Sequence, residues 1–455
     1  MSAPRSRLLP TRYVVPRMAG GVHAALLDAG ARGGGEVVRL GLGPLRPYLV
    51  THPTHVQQVL QERAETYRRG DDTAMWRSVR RFAGDGILAE GPTWAASRRI
   101  LAPLFRSSRM GAVGGPMAAA VAAAVADLEP AAADGRPVDI GAALTGIATA
   151  GIMPAFFADR LTVADLHRIT TAQEVVVTSM APRMLLPFVP WWVRMPGDRR
   201  FDAAVRSIDD ILFPVVRAVR RTPGDGDDVV SVLARARRPD GGVLDERQIR
   251  DDLVAMIGVT TETAPVVLTW LWPELANRPE VTARLYAEVD RVVGVGPVRV
   301  EHVEHLRYLR MVLDELLRLY PAGWLLPRRA VAADVLGGVR VEAGATVLLS
   351  PYVTQRMPLF WGPDAAEFDP DRFAPGRAEA EGRHRYAHHP FGIGMHRCLG
   401  EHLFHLEAAL IVANLLHRFH FTTADPTVPA PRVATSLRPG RPVLLTLAPR
   451  RRPEE

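Results

Sequence analysis

Phe391-Gly392-Ile393-Gly394-Met395-His396-Arg397-Cys398-Leu399-Gly400, running straight into the helical pattern EHLFHLEAALIVANLLHRF, is the stretch that decides the fold. It carries the chain's one cysteine. A thiol just before a helix start is biased toward thiolate by the helix dipole and the first-turn N–H groups. Glycines on either side let the backbone pass close to a flat macrocycle where side chains would collide. A thiolate on a haem iron pushes electron density onto the metal and favours O–O cleavage. His396 is placed to reach a haem propionate. The competing reading is a small, buried, inert cysteine beside a Gly-rich turn. The rest of the chain must decide.

The 455 residues are 47% hydrophobic and 23% charged, which is globular usage rather than disorder. With one cysteine, neither an internal disulfide nor a zinc site of several cysteines can form. The formal charge of +7 suits nucleic acid, a membrane or an acidic protein. The arginines are scattered, with no basic arm and no interleaved aromatics, so nucleic acid is the weakest of these. No uninterrupted apolar run approaches the ~18 residues that span a bilayer. The opening MSAPRSRLLPTRYVVP is broken by Arg5, Arg7, Arg12 and two prolines, so no signal or membrane anchor is expected. A cytoplasmic protein is the expectation.

Upstream, EVVRLGLGPLRPYLVTHP reads as a β-hairpin about Gly43-Pro44, and Thr54–Glu62 as a helix. A loop-rich stretch is expected from Arg69 to Gly91. Helical patterns then dominate from Trp94 to Leu319, broken at Pro182–Pro196 and Thr222–Asp228, and strand-like runs follow Pro321. Mostly helix with a strand-rich minority suggests one α+β unit. His402-x-x-His405 could suggest zinc, but zinc would leave the glycine spacing unexplained.

Every fixed position of the haem loop F-x-x-G-x-[RH]-x-C-x-G is present at Phe391, Gly394, His396, Cys398 and Gly400, and here the chain resembles the cytochromes P-450. Glu315-x-x-Arg318 and the Arg372 of FDPDRF match the family's structural triad. Trp94-x-x-x-Arg98 and Arg329 match its haem-propionate ligands. Glu262 and Thr263 match the acid and alcohol of its distal helix, which relay protons to bound dioxygen. Three departures stand out. Val259 and Thr260 occupy positions that are usually small. Pro265 removes a helical N–H, so the helix is expected to be distorted and opened near Thr261. Gln355-Arg356 stands where the family often has His-Arg.

The resemblance implies an α+β, mainly α fold over 1–455. It consists of one large helical domain with small β-sheets around a buried haem, with an N-terminal segment to about residue 30 and a family-like core over 36–450. It implies haem b on Cys398, dioxygen, and two electrons from a separate ferredoxin and ferredoxin reductase. It also implies a monomer without a membrane anchor, oxidising a hydrophobic small molecule. VPWWVRMPGDRRFDAAVRSID resembles the family's lid, with Trp191 and Trp192 expected against core or lid. Val259, Trp324, Leu325, Leu326, Thr435 and Ser436 are the expected pocket residues, and their apolar character suggests a terpenoid or polyketide-like substrate. Two other classes stay open: a haem-thiolate peroxygenase or isomerase needing no reductase, and a non-catalytic ligand carrier or gas sensor.

Overall fold

A computed structural model describes residues 7–450 except 44, 71–73, 186–188, 190–191, 223, 239–240 and 378–381. Strands β1 (Arg7–Leu9), β2 (Val38–Leu40), β3 (Tyr48–Val50), β4 (Tyr67–Arg68), β5 (Leu326–Ala330) and β6 (Thr346–Leu349) form one sheet in the order β1-β2-β3-β6-β5-β4. The expected hairpin is β2–β3, antiparallel with Val38 opposite Leu49; Pro44 lies outside the described residues. After Pro53–Gln57 the Thr54–Glu62 segment continues as a π-helical turn over Gln58–Glu62. A second hairpin, β7 (Pro431–Val433) with β8 (Leu437–Pro439), comes from the tail.

Nine helices matter to the site: α1 (Ala74–Ala83), α2 (Gly91–Leu101), α3 (Met110–Ala126), α4 (Ile140–Phe157), α5 (Val163–Leu185), α6 (Asp198–Arg221), α7 (Glu246–Ala276), α8 (Arg307–Leu319) and α9 (Glu401–Arg418). Helix α1 corrects the expected loop from Arg69 to Gly91. Its sequence, AMWRSVRRFA, carries Arg77, Arg80 and Arg81, which obscure the apolar period that marks a core helix. Helix α5 runs through Pro182, so the first expected break begins later.

The core helix α7 is capped by Asp245, which accepts from the Gln248 N–H at 2.7 Å. It is helical without a break through Pro265 and Pro273, against the expected opening near Thr261. A proline deletes one backbone hydrogen bond, and here the helix is buried on both sides of it, from Gln248 to Ile257 and from Ala264 to Leu275. Among the described residues, three helical segments reach membrane-spanning length and apolarity as windows, although no uninterrupted apolar run does: Val113–Ala133, Ile140–Phe157 and Glu246–Ala276. Helix α4 packs between α3 and α7, so much of that apolar surface is spent on the helical core.

Candidate functional site

The cysteine loop folds back on itself. The Cys398 N–H donates to the Phe391 carbonyl at 2.9 Å, and the Arg397 N–H to Gly394 at 3.1 Å. Gly394 has φ 72°, and a Cβ there would lie 2.0 Å from the Leu60 carbonyl oxygen. Glycine is therefore demanded by the turn at Leu60 and by backbone conformation as well as by any macrocycle. The Phe391 ring packs edge-on against Phe404 and His405 of α9, at 5.6 and 5.5 Å, and a Cβ on Gly400 would sit 3.8 Å from the Cys398 sulfur. His405 is thus part of the loop's apolar floor.

The Cys398 side chain is exposed by area, yet burial among protein atoms pushes its thiol up. Both hold if the sulfur faces an internal cavity. The Gly400 N–H, Arg98 and Arg397 work the other way and favour the thiolate.

A cationic cluster surrounds this point. The Arg98 guanidinium donates to the Arg397 carbonyl at 2.8 Å, and burial lowers its pKa against the pull of Cys398. The His396 ring packs at a tilt 4.3 Å from Trp94, its Nε2 lies 3.2 Å from Glu90 Oε1, and its Nδ1 is buried without a partner. Burial opposes ionisation of Glu90, but the His396 contact and the Arg69 N–H at 3.0 Å bring its carboxyl down to about 2. His396 itself is held low by burial, so Arg69 is the firmer cause.

The second arginine of the Arg328-Arg329 pair is the expected ligand, but strand parity sets the two guanidiniums on opposite faces. Neighbouring side chains in a strand point to opposite faces. Arg328 is buried on the site side, where desolvation, with Arg69 nearby, pushes its guanidinium down to about 9. Arg329 lies on the other face over the Gly344 turn. A buried guanidinium in that state calls for an anion. Arg328, Arg98 and the unpartnered His396 nitrogen beside an accessible thiol are therefore a donor set that fits the two carboxylates of haem b. Sequence reasoning missed Arg328, Arg69 and Glu90; the Arg-Arg doublet was the visible signal.

Glu315, Arg318 and Arg372 lie together. Arg318 pairs with Glu315 through two bonds of 2.6 and 2.7 Å, and its remaining N–H groups donate to the carbonyls of Gln355, Ala365 and Glu367. Arg372 stands 3.5 Å from Glu315 and pairs with Asp364 at 2.6 Å. Gln355 is fully buried. It donates to the carbonyls of Leu317 and Arg318 and accepts from the His389 N–H at 2.8 Å, tying α8 to the cysteine loop.

Within α7 the buried pattern loosens around Val259 on both sides of buried Thr261. Gly258, Thr260, Glu262 and Thr263 are partly accessible and Val259 is 38% exposed. The Thr263 hydroxyl donates to the Val259 carbonyl at 2.8 Å, leaving its lone pairs as acceptors. Glu262 meets the turn between β7 and β8: Thr435, Ser436 and Arg438 all donate to its Oε1. Trp324 is buried and donates to the Ala434 carbonyl, with Leu325 and Leu326 half-buried beside it. Trp192 is 84% exposed rather than held against core or lid, and Trp191 lies outside the described residues.

The family model for cytochrome P450 matches residues 19–447. The chain belongs to the cytochrome P-450 family. Pentalenene oxygenase of Streptomyces avermitilis is 28% identical over 409 residues, 90% of this chain and 89% of that protein. Cyclooctat-9-en-7-ol 5-monooxygenase of Streptomyces melanosporofaciens is 31% identical, covering 85% and 82%. The crystal structure of the cytochrome P-450DA haem domain superposes with a TM-score of 0.87 over 99% of this chain and 98% of that one, at 22% identity, which speaks for the fold. This cytochrome P-450 is therefore a haem monooxygenase with Cys398 as its thiolate ligand, in a mostly helical fold with small sheets.

Proposed function

We propose that this P-450 oxidises a terpenoid skeleton, drawing two electrons from a separate ferredoxin and ferredoxin reductase in the cytoplasm. The observation that carries the reading is the accessible group Val259, Glu262 and Thr263 in a helix buried over most of its length. Its relatives, a pentalenene oxygenase and a cyclooctat-9-en-7-ol 5-monooxygenase, support a terpenoid substrate. The whole of 1–455 acts as one catalytic unit.

When bound, the haem supplies dioxygen activation. This chain's residues set the conditions. Cys398 would ligate, with Arg98, Arg397 and the Gly400 N–H favouring its charged form. Arg98, His396 and Arg328, with Trp94 packed against His396, would hold the propionates. Phe391 floors the loop. Thr263, its own proton committed to Val259, accepts a hydrogen bond at Oγ1 and so holds a proton donor near the reacting face. Val259, Trp324, Leu325 and Leu326 give the substrate apolar walls. Exposed Arg397, at the loop surface, steers an acidic ferredoxin.

The test begins with the dithionite-reduced carbon monoxide spectrum of wild type and Cys398→Ser. The strongly red-shifted Soret band should appear only in the wild type. Pentalenene is then offered with ferredoxin, reductase, NADPH and labelled dioxygen. Labelled product whose formation slows steeply with salt supports the reading. Product formed from peroxide alone, with none from the redox chain, overturns the electron source; no product from any terpene tried overturns the substrate class.

A further inference from the structure

One carboxylate oxygen in this molecule carries an unusual load. Glu262 Oε1 accepts from Thr435 Oγ1 at 2.7 Å, Ser436 Oγ at 2.6 Å and Arg438 Nη2 at 2.8 Å. All three donors belong to the tip and outgoing strand of the β7–β8 hairpin. Two indoles hold the same tip: Trp324 Nε1 donates to the Ala434 carbonyl at 3.2 Å and Trp270 Nε1 to the Leu437 carbonyl at 3.0 Å. Trp270 lies on α7, as Glu262 does, two turns further on. Val259 and Glu262, three residues apart, share a helix face. The tip fastened to Glu262 therefore borders the surface that Val259 presents.

We propose that Glu262 is a positioning residue, clamping the Ala434–Leu437 tip beside Val259 as a wall of the substrate pocket, and that it does not serve as a proton-relay acid. This rests on the reading above that the Val259–Thr263 face is the reaction side. A relay acid has to turn toward the reacting group. Turning Oε1 would break three hydrogen bonds at once, one of them to a cation. It would also strand Arg438, whose Nε is already buried without a partner. Thr435 and Ser436, placed in the pocket by sequence, spend their hydroxyls on this clamp. What they offer a substrate is shape, with little polarity left to bind it. Proton handling falls to Thr263.

The discriminating pair of variants is Glu262→Leu and Glu262→Gln. Glutamine keeps an acceptor oxygen for the hairpin but has no ionisable proton; leucine keeps neither. In the haem-loaded enzyme, hydrogen–deuterium exchange over 431–439 should speed up tenfold or more in Glu262→Leu and stay near wild type in Glu262→Gln. Binding of 4-phenylimidazole, followed by its Soret shift, should change severalfold in the leucine variant alone. Ser436→Ala should move both readouts the same way by less. Exchange and affinity within twofold of wild type in Glu262→Leu would overturn the clamp. A Glu262→Gln enzyme whose hairpin stays protected while oxygen-dependent product formation collapses would overturn the exclusion of a relay. Exchange and imidazole binding need no natural substrate, so they decide the clamp even if the terpenoid reading fails.

Discussion

The cysteine side and the lid side of the molecule are held by different physics. Beneath the cysteine loop, Arg318 spends its donors on one carboxylate and three backbone carbonyls, and Gln355 ties two further carbonyls to the loop's amide. Bonds to buried backbone leave nothing for salt to screen. On the lid side α1, α5 and α6 meet through arginine–aspartate pairs. Arg183 and Asp198 form a buried pair at 2.6 Å, while the half-exposed Arg81 reaches Asp202 at 2.5 Å and Asp198 at 3.6 Å, and Arg194 reaches Asp202 at 3.1 Å. One side is built to stay fixed. The other adds, beside its buried pair, half-exposed pairs that ions can loosen.

The largest effect should come from breaking the fixed side. Arg318→Ala leaves Glu315 charged and buried, so a loss of about 3–5 kcal/mol is expected. Chemical denaturation read together with haem content checks it; a loss below about 1 kcal/mol would erase the contrast. The fixed side also has unsatisfied members, among them a carboxylate on α9. Glu407 of α9 is buried without a partner for Oε1, and burial pushes its carboxyl up to about 8. Its folded pKa lies above the unfolded one near 4.5, so the folded state binds the extra proton. Stability is then fully present below about pH 4.5 and falls as pH rises toward 8, by up to about 1.4 kcal/mol per pH unit. Glu407→Gln should flatten that slope, seen as thermal midpoints across pH 5–9.

A sharper comparison is within one strand. Arg328→Ala should release haem to apomyoglobin roughly tenfold faster, in keeping with ~1.5–3 kcal/mol for a charged hydrogen bond. Arg329→Ala should not. Equal effects would mean that the strand's two faces had been misassigned. The smallest effect belongs to the lid: Arg81→Ala should cost only ~0.2–1 kcal/mol, and the difference from wild type should vanish in high salt.

Legibility in the sequence followed locality. Glu315 and Arg318, one helical turn apart, and the ten residues around Cys398 carry their geometry in their spacing, so they could be placed before any fold was known. Arg328 could not, because which of two adjacent strand residues faces inward depends on pairing with Val347 and Thr346 across the sheet. Gln355 looked like a minor departure because its three partners come together only in the folded chain. Glu262 was found by its motif, but its partners sit more than 170 residues away on a hairpin whose sequence announces nothing. Helix α1 was lost because Arg77, Arg80 and Arg81 obscure its apolar period.

The close seat of Gly394 on the Leu60 carbonyl makes the turn at 58–62 a mechanical datum for the sulfur. There is no slack in a contact that only a hydrogen atom can fill. Shift that turn and the backbone leading to Cys398 must travel with it. The position of the Cys398 sulfur is thus gauged from the N-terminal third of the chain, hundreds of residues away. Substitutions at Leu60 and Gln61 reach it without replacing any residue of the ligand loop.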